Sequence, residues 1–216
     1  MDRYFIEYRF NGRSKSAVRK LIQRVNREFG IKKCKSFPHI TLVGSFTTGN
    51  ERRLIADFNK TCSEFPLMYF EIDGFDTFKD TKVVFLNIIP DKNLRKFRWK
   101  LSNRLKNYCR LTKYDYMDDF KFHSTIVMNL NDEEIKKIKR YVDKFDYDCE
   151  YGMVRITLLK NGKILREYDY ILRRPFTRKL ALYSSIFTYH LNISNCKKKG
   201  ILAKIKKILK KFKSIF

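Results

Sequence analysis

Two short stretches hold the residues best suited to chemistry: Phe37-Pro38-His39-Ile40-Thr41-Leu42 and Phe122-His123-Ser124-Thr125-Ile126. Each reads as a strand, in which side chains at i and i+2 share a face about 6.6 Å apart. His39 and Thr41 therefore share one face, and His123 and Thr125 another, while Ile40 and Leu42, or Phe122, Ser124 and Ile126, point the other way. Neutral imidazole carries a donor and an acceptor and titrates near neutrality, so two facing histidines can hold one proton to give and one site to receive. That equips them for general acid and base work on a phosphodiester, with the threonine hydroxyls beside them. Either copy alone would read as a core histidine beside an ordinary strand threonine. Two of only three histidines in one three-residue pattern argue against that, and His190, outside any motif, reads as structural or surface.

The elements that must position these strands follow from periodicity. Tyr4 to Phe10 reads as a strand. Val18, Leu21, Ile22, Val25 and Phe29 then recur at helical spacing from a Ser14 cap to a Gly30 stop. After the first motif strand comes a helix from Asn50 to Pro66, then a strand from Tyr69 to Phe78 interrupted at Gly74. The order recurs with a strand over Val83 to Ile89, a helix over Asp91 to Tyr108, the second motif strand, and a helix opened by the capping box Asn131-x-x-Glu134. Met153 to Leu159 and Ile164 to Leu172 form a hairpin about Asn161-Gly162, the strongest turn signal in the chain. Strand, helix, His-x-Thr strand, helix, strand thus occurs twice. The spacing predicts an α+β chain of two β-α-β-α-β lobes related by a pseudo-two-fold axis, with both motifs at the cleft between them.

Composition bounds the partners. The 216 residues hold 48 Lys and Arg against 23 Asp and Glu, a formal charge of +25. The last acidic residue is Asp169, so 13 of those charges belong to Arg173, Arg174, Arg178, Lys179 and the nine lysines from Lys197 onward. A basic body with a still more basic tail favours polyanionic partners. Five scattered cysteines, odd in number and without a C-x-x-C pair, fit neither a zinc ribbon nor a disulfide framework. No run has the length of a signal peptide core or a spanning helix, so a cytoplasmic setting is the expectation.

Paired His-x-Thr motifs 84 positions apart in a chain of this size resemble the 2H phosphoesterase superfamily, in particular the RNA 2′,3′-cyclic phosphodiesterases also called 2′-5′ RNA ligases. The similarity covers residues 1–173 and includes the late strand Val154-Arg155-Ile156-Thr157-Leu158. The resemblance implies a bilobal fold with a central cleft and chemistry that needs neither metal nor cofactor. It implies His39 and His123 as the acid and base, and Thr41 and Thr125 as ligands of the phosphate oxygens. His39 is assigned as proton donor and His123 as acceptor, with the roles exchanged in the reverse reaction. The implied substrate is an RNA end bearing a 2′,3′-cyclic phosphate, opened to a 2′-phosphate. A non-catalytic RNA-binding module of the same fold and a phosphoesterase of small cyclic nucleotides are the alternatives. Three positions depart from the family pattern: Ser124 stands where an apolar residue is usual, and Val43 and Met128 where basic residues often follow the motifs. Lys121 and Arg155 are the candidates to replace those cations.

Residues 174–216 lie beyond the resemblance and read as a basic extension. Ile201, Leu202, Ile205, Ile208, Leu209 and Phe212 form one stripe of an amphipathic helix over 201–216, with lysines over the rest. Its stripe suits packing on the body, and its charge suits RNA phosphate or an anionic membrane surface.

Overall fold

The computed structural model describes residues 1–31, 37–117 and 119–183. In chain order these form β1 (Tyr4–Arg9), α1 (Gly12–Glu28), β2 (His39–Thr48), α2 (Glu51–Ser63) and β3 (Tyr69–Phe78). There follow β4 (Val83–Pro90), α3 (Lys92–Leu105), the two-residue β5 (Cys109–Arg110), a 3₁₀ turn (Lys113–Tyr116) and β6 (His123–Val127). Then come α4 (Asp132–Val142), β7 (Asp148–Gly152), β8 (Arg155–Lys160), β9 (Lys163–Asp169), β10 (Arg174–Thr177) and α5 (Arg178–Tyr183).

Local chemistry explains most of these boundaries. Asn131 accepts from the Glu134 amide at 2.9 Å while the Glu134 carboxylate accepts from the Asn131 amide at 2.7 Å, the reciprocal cap expected for α4. Asp91 caps α3 by accepting from the Leu94 amide at 2.7 Å. Ser14, expected to cap α1, lies inside its first turn; the helix begins at Gly12 after an extended Asn11, and the Ser14 hydroxyl donates to the Asn11 carbonyl at 2.7 Å. The serine thus bonds back to the chain three residues earlier instead of forward to an amide. At Asn161 and Gly162 φ is +49° and +74°, the left-handed pair a two-residue hairpin requires. The expected interruption at Gly74, where φ is +61°, is a bulge: pairing moves from Ile72↔Ile88 to Phe75↔Leu86, one extra residue on β3.

The strands make two antiparallel sheets, ordered β10-β9-β8-β1-β2-β5 and β6-β4-β3-β7. This is the bilobal α+β architecture, with one rearrangement. β3 pairs with β4, so the strand closing the first half of the chain belongs to the second sheet, while β8 and β9 complete the first sheet beside β1. Exchange of closing strands ties the lobes together, and their cores are continuous: Tyr8 of β1 and Phe10 just after it meet Phe70 of β3 and Tyr151 of β7 edge to face. Residues 174–183, read as the start of the extension, belong to the first sheet's surroundings. β10 pairs with β9 from Arg174↔Asp169 to Thr177↔Arg166, and α5 packs on both. The amphipathic helix expected over 201–216, and His190, lie outside the described residues. Among the described residues no helix is long and apolar enough to cross a membrane, and Cys62 and Cys109 are buried free thiols.

Candidate active site at the seam of two sheets

The motif strands β2 and β6 approach each other where the two sheets meet. Alternation holds in both: Ile40, Leu42, Ser124 and Ile126 are buried, while His39, Thr41, His123 and Thr125 stay partly open. The two imidazoles are near enough for the charge of one to act on the other. Among the described residues, no protein group engages the hydroxyl of Thr41 or Thr125.

Both rings are oriented by the same device. His39 Nδ1 lies 2.8 Å from the Phe37 carbonyl oxygen and His123 Nδ1 lies 3.0 Å from the Lys121 carbonyl oxygen, in each case two residues back. A carbonyl can only accept, so each Nδ1 carries the hydrogen and each Nε2 is left for chemistry. A neutral ring then offers a bare Nε2 as base, and a protonated one offers Nε2–H as acid.

Their surroundings differ. Glu7, the neighbour of Thr41 across β1 and β2, places Oε2 3.9 Å from His39 Nδ1, and Phe5 meets the His39 ring edge on at 5.7 Å. Arg9, paired in register with His39, donates its Nε–H to the same carboxylate. His123 has an aromatic enclosure instead, with Phe78 edge on at 4.9 Å and Phe85 tilted at 5.3 Å. Its pKa falls below the ordinary imidazole value, chiefly because burial disfavours the cation, a trend the Lys121 carbonyl opposes and the charges of His39 and Lys121 reinforce.

Four of the six residues singled out from the sequence therefore converge: His39, Thr41, His123 and Thr125. Lys121 stands at the rim of the seam, ion-paired to Asp76 with its ammonium 5.3 Å over the Phe85 ring. Arg155 does not join them, because β1 separates β8 from β2. Its guanidinium is buried between Asp169, at 2.9 Å, and Glu167, at 3.1 Å. Ser124 points inward as its strand parity requires, and among the described residues its buried hydroxyl oxygen has no hydrogen-bond partner. Sequence reading missed Glu7, Phe78 and Phe85. Glu7 carried a signal, being the acidic position facing away from Ile6 and Tyr8 in an otherwise apolar-alternating strand. The two phenylalanines carried none. Among the described residues, no three His, Cys, Asp or Glu side chains converge as metal ligands would.

A family model described as the 2′-5′ RNA ligase superfamily matches residues 14–164, which include both motif strands. A solved phosphoesterase crystal structure is similar in fold, with a TM-score of 0.50 and 14% identity over 78% of this chain and 97% of that one. The structure of Kluyveromyces marxianus Usb1 with uridine monophosphate gives a TM-score of 0.42 at 10% identity, covering 73% of this chain and 93% of that one. No curated protein sequence matches the chain. With the match running through most of the chain and the two sheets in the arrangement of that fold, the protein belongs to the 2′-5′ RNA ligase superfamily of 2H phosphoesterases.

Proposed function

We propose that the protein hydrolyses RNA ends bearing a 2′,3′-cyclic phosphate, leaving a 2′-phosphate. The observation that carries this reading is the pair of imidazoles at one seam, each with Nε2 free and each in a different electrostatic setting. Burial in the aromatic enclosure favours the neutral form of His123, which suits it to the base's role and leaves the donor's role to His39. Water attacks phosphorus in line with the 3′-oxygen, and His123 Nε2 takes its proton. The bond from phosphorus to the 3′-oxygen breaks, and His39 Nε2–H protonates the departing oxygen. The hydroxyls of Thr41 and Thr125 donate to the non-bridging oxygens as charge builds on them. With an RNA 5′-hydroxyl in place of water and the same proton roles, the arrangement joins two ends through a 2′-5′ linkage; run backward, with the roles exchanged, it cleaves that linkage and re-forms the cyclic phosphate.

The test is turnover, in EDTA, of an oligonucleotide ending in a 2′,3′-cyclic phosphate, with the product's phosphate located by phosphorus NMR. His39→Ala and His123→Ala should each lower kcat by at least ~100-fold, as expected for losing one acid or base. Turnover that survives either substitution, or a 3′-phosphate product, overturns the assignment.

A further inference from the structure

Beside His39, on the same face of the larger sheet, the chain forms a cavity of about 630 Å³ that the chemistry above does not use. Two residues join it to the site. Arg9, in its lining, is the in-register partner of His39, and Phe37, also in its lining, supplies the carbonyl that holds the His39 ring. Its floor is Thr157, Glu167 and Arg155, all buried and bonded to one another, with Thr157 Oγ1 donating to Glu167 at 2.9 Å. One wall is α5, through Ala181 and Leu182. The other is a stripe of α1, Gly12, Lys15, Ser16 and Arg19, at the i, i+3, i+4, i+7 spacing of one helical face.

The charge of this cavity is one-sided. Arg9 is partnered by Glu7, but among the described residues neither Lys15 nor Arg19 meets a carboxylate at ion-pair distance. Lys15 has its pKa pushed below the ordinary lysine value, first by burial and then by the charges of Arg19 and Arg9. Crowded, unneutralised cations beside a cavity are set for an anion. The first turn of α1 has no acidic residue and Asn11 makes no side-chain cap, so the helix's positive end adds to the same field. Phe37 contributes a ring that is 51% exposed, with Lys15 Nζ 4.8 Å and Arg9 Cζ 5.7 Å from its centre. Exposed aromatic faces interleaved with cations are the means by which proteins hold single-stranded nucleic acid.

We propose that this cavity is a second nucleotide subsite, which takes the nucleotide next to the reacting phosphate, with its phosphate on Lys15 and Arg19 and its base against Phe37. The inference rests on the RNA-end reading above and sharpens it: the protein selects a chain end over a free cyclic mononucleotide. Because the hydrogen-bonding groups of the floor are bonded to one another, recognition falls to charge and stacking, and one base serves about as well as another.

The experiment compares two ligands by calorimetry on the full chain, adenylyl-adenosine 3′-phosphate and adenosine 3′-monophosphate, and measures hydrolysis of their 2′,3′-cyclic counterparts. The wild type should bind the dinucleotide at least ~10-fold tighter. Lys15→Ala/Arg19→Ala should weaken the dinucleotide at least ~10-fold more than the mononucleotide, and flatten its salt dependence by about 0.7 in log–log slope for each phosphate no longer neutralised. Lys15→Gln/Arg19→Gln, which keeps most of the side-chain bulk, should do the same. Phe37→Ala should also cost the dinucleotide more, and Phe37→Tyr should restore it. No preference for the dinucleotide in the wild type, or equal weakening of both ligands in these variants, overturns the subsite. Preference without hydrolysis of either cyclic form leaves the subsite and removes the hydrolytic reading; hydrolysis without preference does the reverse.

Discussion

The two motif strands carry the same backbone device and different company. In β2 the ring at 39 is oriented by a carbonyl two residues back and stands near a carboxylate on β1; in β6 the ring at 123 is oriented the same way and stands between two phenylalanines. At the corresponding place on the neighbouring strand, the first sheet sets Glu7 opposite Thr41 and the second sets Phe85 opposite Thr125. A duplicated layout supplies two like groups, and a cross-strand difference beside each gives them unlike surroundings, the basis of the division of roles proposed above.

The comparison can be broken most forcefully at Glu7. Glu7→Gln keeps the shape but removes the negative charge 3.9 Å from His39 Nδ1, and kcat should fall by about tenfold, equivalent to ~1.4 kcal/mol, while KM moves little. An unchanged kcat would show that the carboxylate serves Arg9 alone. A smaller effect is expected on the other side. On the proposed mechanism His123 must be neutral to accept a proton, so the acid limb of the activity profile rises with pH through its lowered pKa. Phe85→Leu admits water beside the ring, relieves the penalty on the cation, and should move that acid limb toward higher pH with the maximal activity retained to within a fewfold. A limb that stays in place would mean that burial by Phe85 is not what holds His123 neutral. The smallest effect belongs to Ser124, at the place Ile40 holds in the other motif, whose buried hydroxyl oxygen has no partner among the described residues. Ser124→Ala removes an unsatisfied polar atom and should stabilise the fold by about 0.5–1 kcal/mol, seen as a rise of a few degrees in Tm with activity retained. A lower Tm would mean that the hydroxyl finds a partner in solution.

Much of the frame was legible in the residues. The capping box at Asn131, the Asn161-Gly162 turn and the interruption at Gly74 depend on interactions within a few residues, or on the freedom of one residue to adopt positive φ, and all appear where the sequence placed them. The elements that escaped depend on distant partners. Asp148–Gly152 is short and polar and becomes β7 only because β3 is there to pair with it, from Tyr69↔Gly152 to Asp73↔Asp148. Arg173-Arg174-Pro175 looks like a boundary. Yet Arg173 turns the chain at φ +55°, and Pro175 sits in an edge strand, where the amide it lacks is not needed by a further neighbour. The exchange of β3 escaped for the same reason: a strand's pattern records which face is apolar, not which of two similar sheets will receive it.

What the sequence by itself determined was which side chains travel together. A period of two puts His39 with Thr41 and His123 with Thr125 whatever lies around them, because strand geometry is local. Only the tertiary structure decided that these pairs meet at one seam, that one ring draws a carboxylate and the other an aromatic enclosure, and that a cationic cavity opens beside the first. Those outcomes depend on pairings between strands far apart in the chain. Their energies come from burial and charge summed over the assembled sheets, which no short stretch of residues contains.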